Sequence, residues 1–481
     1  MQKTRMEDIV VVIPGITGSV LQKDGKDIWA ISRQVGWKAL TERDNWVEQL
    51  KLNGSDDPEV EDLGDGIKAT RLIEDAHLIP GLVKIDGYTM LSRLITENFV
   101  VEQGDIYNND KPANFLKFPY DWRRDNRVTA RLLKRLLDER LKQWREYTGN
   151  KNAKIIILAH SMGGLISRYY LEVLEGWRDC KALFTFGTSH RGSVDAVNYL
   201  ANGYKQLFVE LTDVLRSLPS VYQLLPRYPM LKVGEQYQRI AETPNLHNIV
   251  QERAKDALNF HYEIEAAVES HKDNEEYRKF YKTIPIVGIK QPTMQSASLV
   301  NGQIILSNDL PEGIDPLLEG GDGTVPYLSA IPIELSEEFR NTYIAERHCS
   351  LQNSSQILQQ LLQRLKEMQT KGLGNIRGPE VNPETAEQSA ISLYLDDIYL
   401  KKELIRISAR VINFKTQKLK AEITLNYEND FSQNLEFQEQ DNEWVLNIDS
   451  LEPGLYRLKV DTGSYNSQAP NPVHDLFEVI S

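Results

Sequence analysis

The chain has 481 residues, a length that usually divides into two domains because one hydrophobic core seldom organises so many residues. Hydrophobic residues make up 41% and charged residues 26%, which excludes a fibrous or disordered protein. The net charge of −13 argues against nucleic acid as a partner and against electrostatic binding to anionic lipid. Cys180 and Cys349 are too few for a disulfide framework and fit no zinc pattern, so we expect a reducing, cytoplasmic compartment and no metal or cofactor.

The first 370 residues predict an alternating α/β domain. Its N-terminal apolar run is too short for a signal peptide or a membrane span and therefore predicts a strand. A helical pattern over Val128–Tyr147 places leucines on one face and Arg and Lys on the other. Four apolar runs predict buried parallel strands: Ile9–Ile13, Ile155–Leu158, Ala182–Phe186 and Ile284–Ile289.

Two segments of this domain predict covers over a site. Residues 24–68 are rich in Trp, charges and turn signals, and they fit a lid loop better than a strand or a long helix. Residues 193–283 are mostly helical in pattern, including Gln206–Leu218, and lie between two predicted strands. We expect this second segment to form a helical cap.

The composition changes at residues 371–388, where Gly, Pro, Asn and Glu predict a linker. Residues 389–481 then predict an immunoglobulin-like or fibronectin-like β-sandwich, whose partner the pattern does not reveal. Turn residues separate runs of alternating polarity at Ile391–Tyr399, Leu404–Phe414, Lys418–Tyr427 and Leu455–Val460.

Ser161 is the candidate nucleophile. It follows a predicted buried strand and precedes a predicted helix, in the sequence Ala-His-Ser-Met-Gly-Gly over residues 159–164. A reactive serine on such a sharp turn requires small residues two positions before and after it, here Ala159 and Gly163. An ordinary strand-to-helix turn is the alternative.

A serine hydroxyl needs a histidine to take its proton and a carboxylate to orient that histidine. Asp322 lies between glycines that can aim a carboxylate, although a plain Asp-Gly turn is the alternative. His348 follows a strand-like run and precedes an amphipathic helix over Ser354–Met368. The order Ser, Asp, His is the order of α/β-hydrolases.

The negative oxygen of a tetrahedral intermediate needs N–H donors that are already in place. The N–H of Met162, directly after the nucleophile, is one candidate. A second donor is expected from the loop Pro14–Ser19, for which a glycine turn without this role is the alternative. Four further residues are predicted to line the substrate site or its surroundings: Gly15, Thr17, His160 and His190.

Six ordered motifs resemble the lecithin:cholesterol acyltransferase family, which includes phospholipid:diacylglycerol acyltransferases and a lysosomal phospholipase. The resemblance covers roughly residues 8–370 and implies an α/β-hydrolase fold, the triad Ser161, Asp322 and His348, and an oxyanion hole made by the N–H groups of Ile16 and Met162. It places the family's early lid at residues 24–68, here without cysteine. The motifs are residues 14–21, 118–123, 159–164, 186–193 and 321–325, with the late histidine His348.

The resemblance implies a lipid acyl ester as substrate, with an acyl group passing through the serine to water or to an alcohol. We expect a serine-dependent hydrolase such as a phospholipase, lipase or esterase. An acyltransferase is one alternative, and an inactive hydrolase fold that presents the β-sandwich is another. Peripheral membrane contact through the lid or cap stays open.

Overall fold

The computed structural model describes residues 2–30, 46–52, 57–74, 76–79, 83–206, 209–335, 344–371, 389–425, 431–464, 466 and 468–480. Of the predicted lid, residues 31–45 and 53–56 lie outside these ranges, as do residues 372–388 of the predicted linker. The domain boundaries therefore stay a prediction.

A six-stranded parallel sheet forms the centre of the N-terminal part. Every residue of Ile9–Ile13 and of Ile155–His160 is buried, because side chains on both faces of such a sheet lie inside the core. All four predicted strands belong to this sheet, which confirms them. The spatial order is Lys282–Ile286, Cys180–Phe186, Ile155–His160, Ile9–Ile13, Phe115–Lys117 and Gln103–Gly104.

The helix Asn126–Thr148 confirms the longest helical prediction. It begins where the Asp125 side chain accepts the N–H of Arg127, and it ends at Gly149, whose φ of 71° is left-handed. The side chains of its apolar face are buried in the same core as the sheet, namely Leu133, Leu137, Leu141 and Trp144. Other helices of the N-terminal part are Trp46–Leu50, Thr89–Asn98, Met162–Arg168 and Ser355–Lys371, and a π-helical turn covers Tyr169–Val173.

The described ends of the predicted lid are attached to the body of the protein. Trp29 packs edge-on against Trp122, with ring centroids 4.9 Å apart. Arg123 is fully buried and pairs with Asp65 at 2.8 Å. A three-stranded antiparallel sheet in this region has the order Lys26–Trp29, Ser19–Lys23 and Ile67–Leu72. Two short strand pairs complete the N-terminal part, Thr4–Arg5 with Phe99–Val100 and His77–Ile79 with Val83–Ile85.

The described residues of the predicted cap form helices and short strands. The helix expected over Gln206–Leu218 is shorter than predicted and covers only Thr212–Ser217. The Thr212 hydroxyl accepts the Tyr204 N–H and donates to the Tyr204 carbonyl, which closes a turn in place of the first helical residues. The other helices are Val194–Ala201, Pro219–Tyr222, Gln251–His271 and Glu275–Phe280, and the strands are Lys205–Gln206, Val209–Glu210, Leu231–Val233 and Gln236–Gln238.

The remaining short elements of the N-terminal part are one hairpin and several 3₁₀ helices. The strands Ser296–Val300 and Gln303–Ser307 form a hairpin beside Leu231–Val233. Short 3₁₀ helices cover Gly176–Arg178, Ile240–Glu242, Pro316–Leu318, Tyr327–Ser329, Ile333–Leu335 and His348–Ser350.

The C-terminal part is a β-sandwich, as predicted. Apolar residues from two sheets share one core, including Ile407 and Leu446 from the first sheet and Ile423 and Phe477 from the second. The first sheet has the order Ala390–Tyr394, Ile405–Ile412, Glu443–Ile448 and Gln438–Gln440. The second has the order Ile398–Leu400, Val473–Ile480, Gly454–Asp461, Lys420–Leu425 and Ser432–Glu436.

Within the described ranges, none of the helices combines the length and the apolar character needed to cross a bilayer.

Adjacent leucines test the packing of the long helix. Leu133 is fully buried, whereas Leu132 is 36% exposed. We expect Leu133→Ala to lower the free energy of unfolding by about 2–5 kcal/mol, because the truncation leaves a cavity in the core. Leu132→Ala, the matched control, changes it by about 0.5 kcal/mol or less. Urea unfolding of the full-length chain measures both, and equal effects would contradict the packing described here.

Candidate active site

Ser161 lies on a sharp turn between the strand Ile155–His160 and the helix Met162–Arg168. Its backbone has φ 51° and ψ −124°, a conformation that is costly for a residue with a side chain and persists only where neighbours hold it. The Ser161 N–H donates to the Phe186 carbonyl at 2.9 Å, and the Ser161 carbonyl accepts the Thr188 hydroxyl at 2.9 Å. The adjacent strand and its following loop therefore hold the turn.

The small residues around Ser161 are required by close backbone approaches. A Cβ on Gly163 would lie 2.5 Å from the Pro14 carbonyl oxygen, and one on Gly164 would lie 2.0 Å from the Thr188 hydroxyl. A Cβ on Gly15 would lie 2.9 Å from that of Ser161 itself. The motif thus permits the turn, the following helix and the loop after the first core strand to pack against one another.

The structure brings Ser161, His348 and Asp322 together although they are distant in sequence. Ser161 Oγ lies 3.1 Å from His348 Nε2, and His348 Nδ1 lies 2.8 Å from Asp322 Oδ2. When Nδ1 carries a proton and donates a hydrogen bond to the carboxylate, Nε2 is unprotonated and can accept the serine proton. The set is therefore arranged for proton transfer away from the serine hydroxyl.

Asp322 is held by its own loop. Its second carboxylate oxygen accepts the N–H groups of Thr324 at 3.0 Å and Val325 at 2.7 Å. Its backbone carbonyl accepts the N–H of His348 at 2.8 Å. The Asp322 side chain is fully buried, so its orientation toward the imidazole is well defined.

The loop Pro14–Ser19 lies beside Ser161. The Gly15 N–H donates to the Tyr88 hydroxyl at 2.9 Å, and Thr17 has a left-handed φ of 62°. The N–H groups of Ile16 and Met162 donate no hydrogen bond to any protein group in the described part of the chain. Both predicted donors are therefore available near the serine.

Residues of the motif Tyr120–Arg123 hold this loop. The Tyr120 hydroxyl donates to the Pro14 carbonyl at 2.9 Å. The indole N–H of Trp122 donates to the Ser19 carbonyl at 3.2 Å. Both ends of the loop are thus bound to one motif.

His160 joins the loop to the histidine segment. Its Nδ1 lies 3.0 Å from the Tyr88 hydroxyl, and its Nε2 lies 3.2 Å from the His348 carbonyl oxygen. Since a carbonyl only accepts, Nε2 carries the proton and Nδ1 accepts from Tyr88. Burial, and secondarily the neighbouring His348 ring, lower the pKa of His160 to about 3. A continuous chain of hydrogen bonds thus runs from Gly15 to the backbone of His348.

The substrate-binding roles of Gly15, Thr17, His160 and His190 stay predictions. Thr17 is 4% exposed, and its hydroxyl donates to the Ile16 carbonyl at 2.5 Å. His190 lies 3.3 Å from the Thr185 hydroxyl, and burial lowers its pKa well below the usual value. It lines a separate small pocket with Arg168, His261 and Glu334.

A polar cavity of about 210 Å³ borders the Asp322 and His348 pair. Asp195 and Tyr199 of the helix Val194–Ala201 line one part of it. Asp397, from the β-sandwich, lines another part. The sandwich therefore reaches the surroundings of the triad, which the sequence did not predict.

Sequence reasoning missed Tyr88 and Thr188 as supports of the site. Thr188 lies in the motif of residues 186–193. A Cβ on its neighbour Gly187 would lie 2.8 Å from Asp322 Oδ2 and 2.8 Å from His348 Nδ1. Tyr88 follows Asp86-Gly87, an ordinary turn signal, so nothing local marks it.

Within the described ranges, no group of three or more His, Cys, Asp or Glu side chains is arranged to hold a metal ion.

The protonation of His160 is directly testable. At pH 5 we expect a neutral ring with its proton on Nε2, because burial lowers the pKa of His160 to about 3. Histidine-selective ¹⁵N NMR measures this, with His160→Gln to assign the signal. Tyr88→Phe should shift the Nδ1 resonance of His160 and leave that of the exposed His247 in place. A doubly protonated His160 at pH 5 would contradict the hydrogen-bond chain.

Comparison with known proteins shows the family to which the chain belongs. Among solved structures, the chain is similar to the Bacillus licheniformis lipase BlEst2 in its mature form, at 12% identity and a TM-score of 0.34, over 76% of this chain and 94% of that chain. The propeptide form of that lipase gives 11% identity and a TM-score of 0.35, over 99% of this chain and 94% of that chain. No curated protein matches the chain. A model of the lecithin:cholesterol acyltransferase family matches residues 51–301, more than half of the chain, and the protein therefore belongs to this family.

Proposed function

We propose that the protein is a serine-dependent lipid acyl-ester hydrolase that acts through an acyl-enzyme. The observation that carries the proposal is the hydrogen-bonded series Ser161, His348 and Asp322 on a strained strand-to-helix turn. Membership of the lecithin:cholesterol acyltransferase family supports an acyl ester of a lipid as the substrate class. The matched segment contains Ser161 and ends before Asp322 and His348, so their roles are supported by the geometry and by their sequence motifs.

In the proposed mechanism, His348 Nε2 takes the proton of Ser161 as its oxygen attacks the ester carbonyl. Asp322 keeps the imidazole in the reactive tautomer and stabilises its positive charge. The N–H groups of Ile16 and Met162 stabilise the negative oxygen of the tetrahedral intermediate. His348 then gives its proton to the leaving alcohol, and the acyl group remains on the serine.

Water then attacks the acyl carbonyl while His348 Nε2 takes its proton. His348 gives that proton to Ser161 Oγ as the bond between the acyl group and Oγ breaks, and the carboxylic acid leaves. An alcohol in place of water would make the protein an acyltransferase, and the family supports this as the second candidate. The complete hydrogen-bonded set argues against an inactive scaffold. Contact with a lipid surface through residues 24–68 or 193–283 stays a prediction.

Active-site labelling tests the nucleophile and its partners. We expect a fluorophosphonate probe to label the native protein and not Ser161→Ala, since only an activated serine attacks the probe. Asp322→Asn and His348→Ala should each lower ester turnover by about 10⁴-fold and leave the protein folded. Ser270→Ala and His247→Ala, which change exposed residues, are the matched controls. Normal turnover in either partner variant would overturn the triad.

Product analysis separates hydrolysis from transfer. With a phospholipid labelled in its acyl chain, we expect free fatty acid as the main product, both without and with a long-chain alcohol. Thin-layer chromatography of the labelled products measures the ratio, and Ser161→Ala gives the background. A labelled ester that dominates when the alcohol is present would replace the hydrolase proposal with the acyltransferase alternative.

A further inference from the structure

The β-sandwich binds the segment that carries His348 on both sides of the histidine. Arg347 Nε lies 2.7 Å from the carboxylate of Asp475, and the Arg347 guanidinium also donates to the Leu393 carbonyl at 3.1 Å. On the other side, Cys349 Sγ lies 3.7 Å from the second oxygen of Asp475. One sandwich carboxylate therefore contacts both neighbours of the histidine.

Glu346 adds a second contact with the same sandwich strand, Val473–Ile480. Its carboxylate accepts the backbone N–H of His474 at 2.9 Å, and its other oxygen lies 2.9 Å from His474 Nδ1. Glu346 is only 1% exposed and also accepts the N–H of Arg347 at 3.0 Å. Three residues close to His348 in the chain, two before it and one after, are thus bound by two adjacent sandwich residues.

The charges in this contact are buried and compensated. The Asp475 side chain is fully buried and lies 3.1 Å from Lys84 Nζ as well as close to Arg347. Burial opposes its charge, but Arg347 and Lys84 outweigh burial and hold the pKa of Asp475 below its usual value. Removing one partner of such a buried pair is costly, because it leaves the other charge buried without compensation.

The sandwich also contacts the segment that carries Asp322, through Gln291. The Gln291 amide donates to the Ile391 carbonyl at 2.9 Å and accepts the Leu393 N–H at 3.1 Å. The Gln291 backbone N–H donates to the carbonyl of Gly321, the residue before Asp322, at 3.0 Å. One edge of the sandwich therefore connects with both the acid and the base of the triad.

We infer that the C-terminal β-sandwich is part of the active centre and that Asp475 is a positioning residue, which holds His348 within hydrogen-bonding reach of Ser161 through Arg347 and Cys349. The inference rests on the proposed function. Asp475 acts on the histidine segment and contacts no reacting atom. Because a displacement of about 1 Å can slow an enzymatic reaction about 100-fold, loss of this contact should reduce the rate of the chemical step.

The test is Asp475→Asn in the full-length chain, an isosteric change that removes the charge facing Arg347. We expect kcat for a soluble ester to fall about 10–100-fold while KM changes less than about 2-fold, since positioning affects the transition state rather than substrate binding. Glu478→Gln is the matched control, because Glu478 is a buried acid on the same strand. Unchanged or increased kcat in Asp475→Asn would overturn the inference.

A second variant separates positioning from simple loss of stability. Asp475→Asn leaves the buried Arg347 without its carboxylate and can destabilise the fold. The double variant Arg347→Gln/Asp475→Asn removes both charges and should restore thermal stability, while kcat stays low because the ion pair remains absent. Recovery of kcat along with stability would overturn the positioning role.

A spectroscopic readout keeps the inference testable without turnover. The proton between His348 Nδ1 and Asp322 gives a low-field ¹H NMR signal when that hydrogen bond is ordered. We expect this signal to shift or broaden in Asp475→Asn and to remain in Glu478→Gln. An unchanged signal in Asp475→Asn would contradict the positioning role, and this result does not depend on catalytic activity. Failure of fluorophosphonate to label the native protein would instead contradict the proposed function.

Discussion

The left-handed turn at Ser161 is the constraint on which the site depends. A serine with φ 51° needs neighbours to hold it, and here the adjacent strand accepts its N–H while the Thr188 hydroxyl donates to its carbonyl. The same turn brings Gly163 so close to the Pro14 carbonyl that a side chain would not fit. The elbow, the first core strand and the loop after it therefore form one tightly packed unit.

Supports of the triad extend outward from this unit along two routes. One runs from Gly15 through Tyr88 and His160 to the His348 carbonyl, and it needs a neutral His160. The other runs from the His348 segment into the β-sandwich through Asp475. Both routes contact the backbone or the immediate chain neighbours of the histidine. In this account the C-terminal sheets serve the reaction chemistry and are more than an appended module.

Local patterns predicted the central sheet, and they singled out the three residues of the proposed triad, which the structure brings together. Ser161, Asp322 and His348 each lie in a short segment with its own signal: an elbow, a glycine-flanked carboxylate and a histidine just before an amphipathic helix. Tyr88 and Asp475 carry no such signal, because their roles come from contacts with residues 72 and 126 positions away in the chain. Such contacts depend on tertiary packing, which periodicity does not encode.

The strands of the sandwich show the same limit. Glu443–Ile448 and Val473–Ile480 bury consecutive residues and do not alternate cleanly, so a search for period-two patterns missed them. Gln206–Leu218 has helical spacing, yet Val209–Glu210 pairs as a short strand with Lys205–Gln206, and the Thr212 hydroxyl bonds to the backbone of Tyr204.

A crystal structure of the full-length protein after reaction with a fluorophosphonate tests the central claim most directly. The account predicts a covalent bond between phosphorus and Ser161 Oγ. It also predicts that the phosphonyl oxygen lies about 2.7–3.1 Å from the N–H nitrogens of Ile16 and Met162, the distance expected for an oxyanion hole. A phosphonyl group on another residue, or an oxygen turned away from both N–H groups, would contradict it.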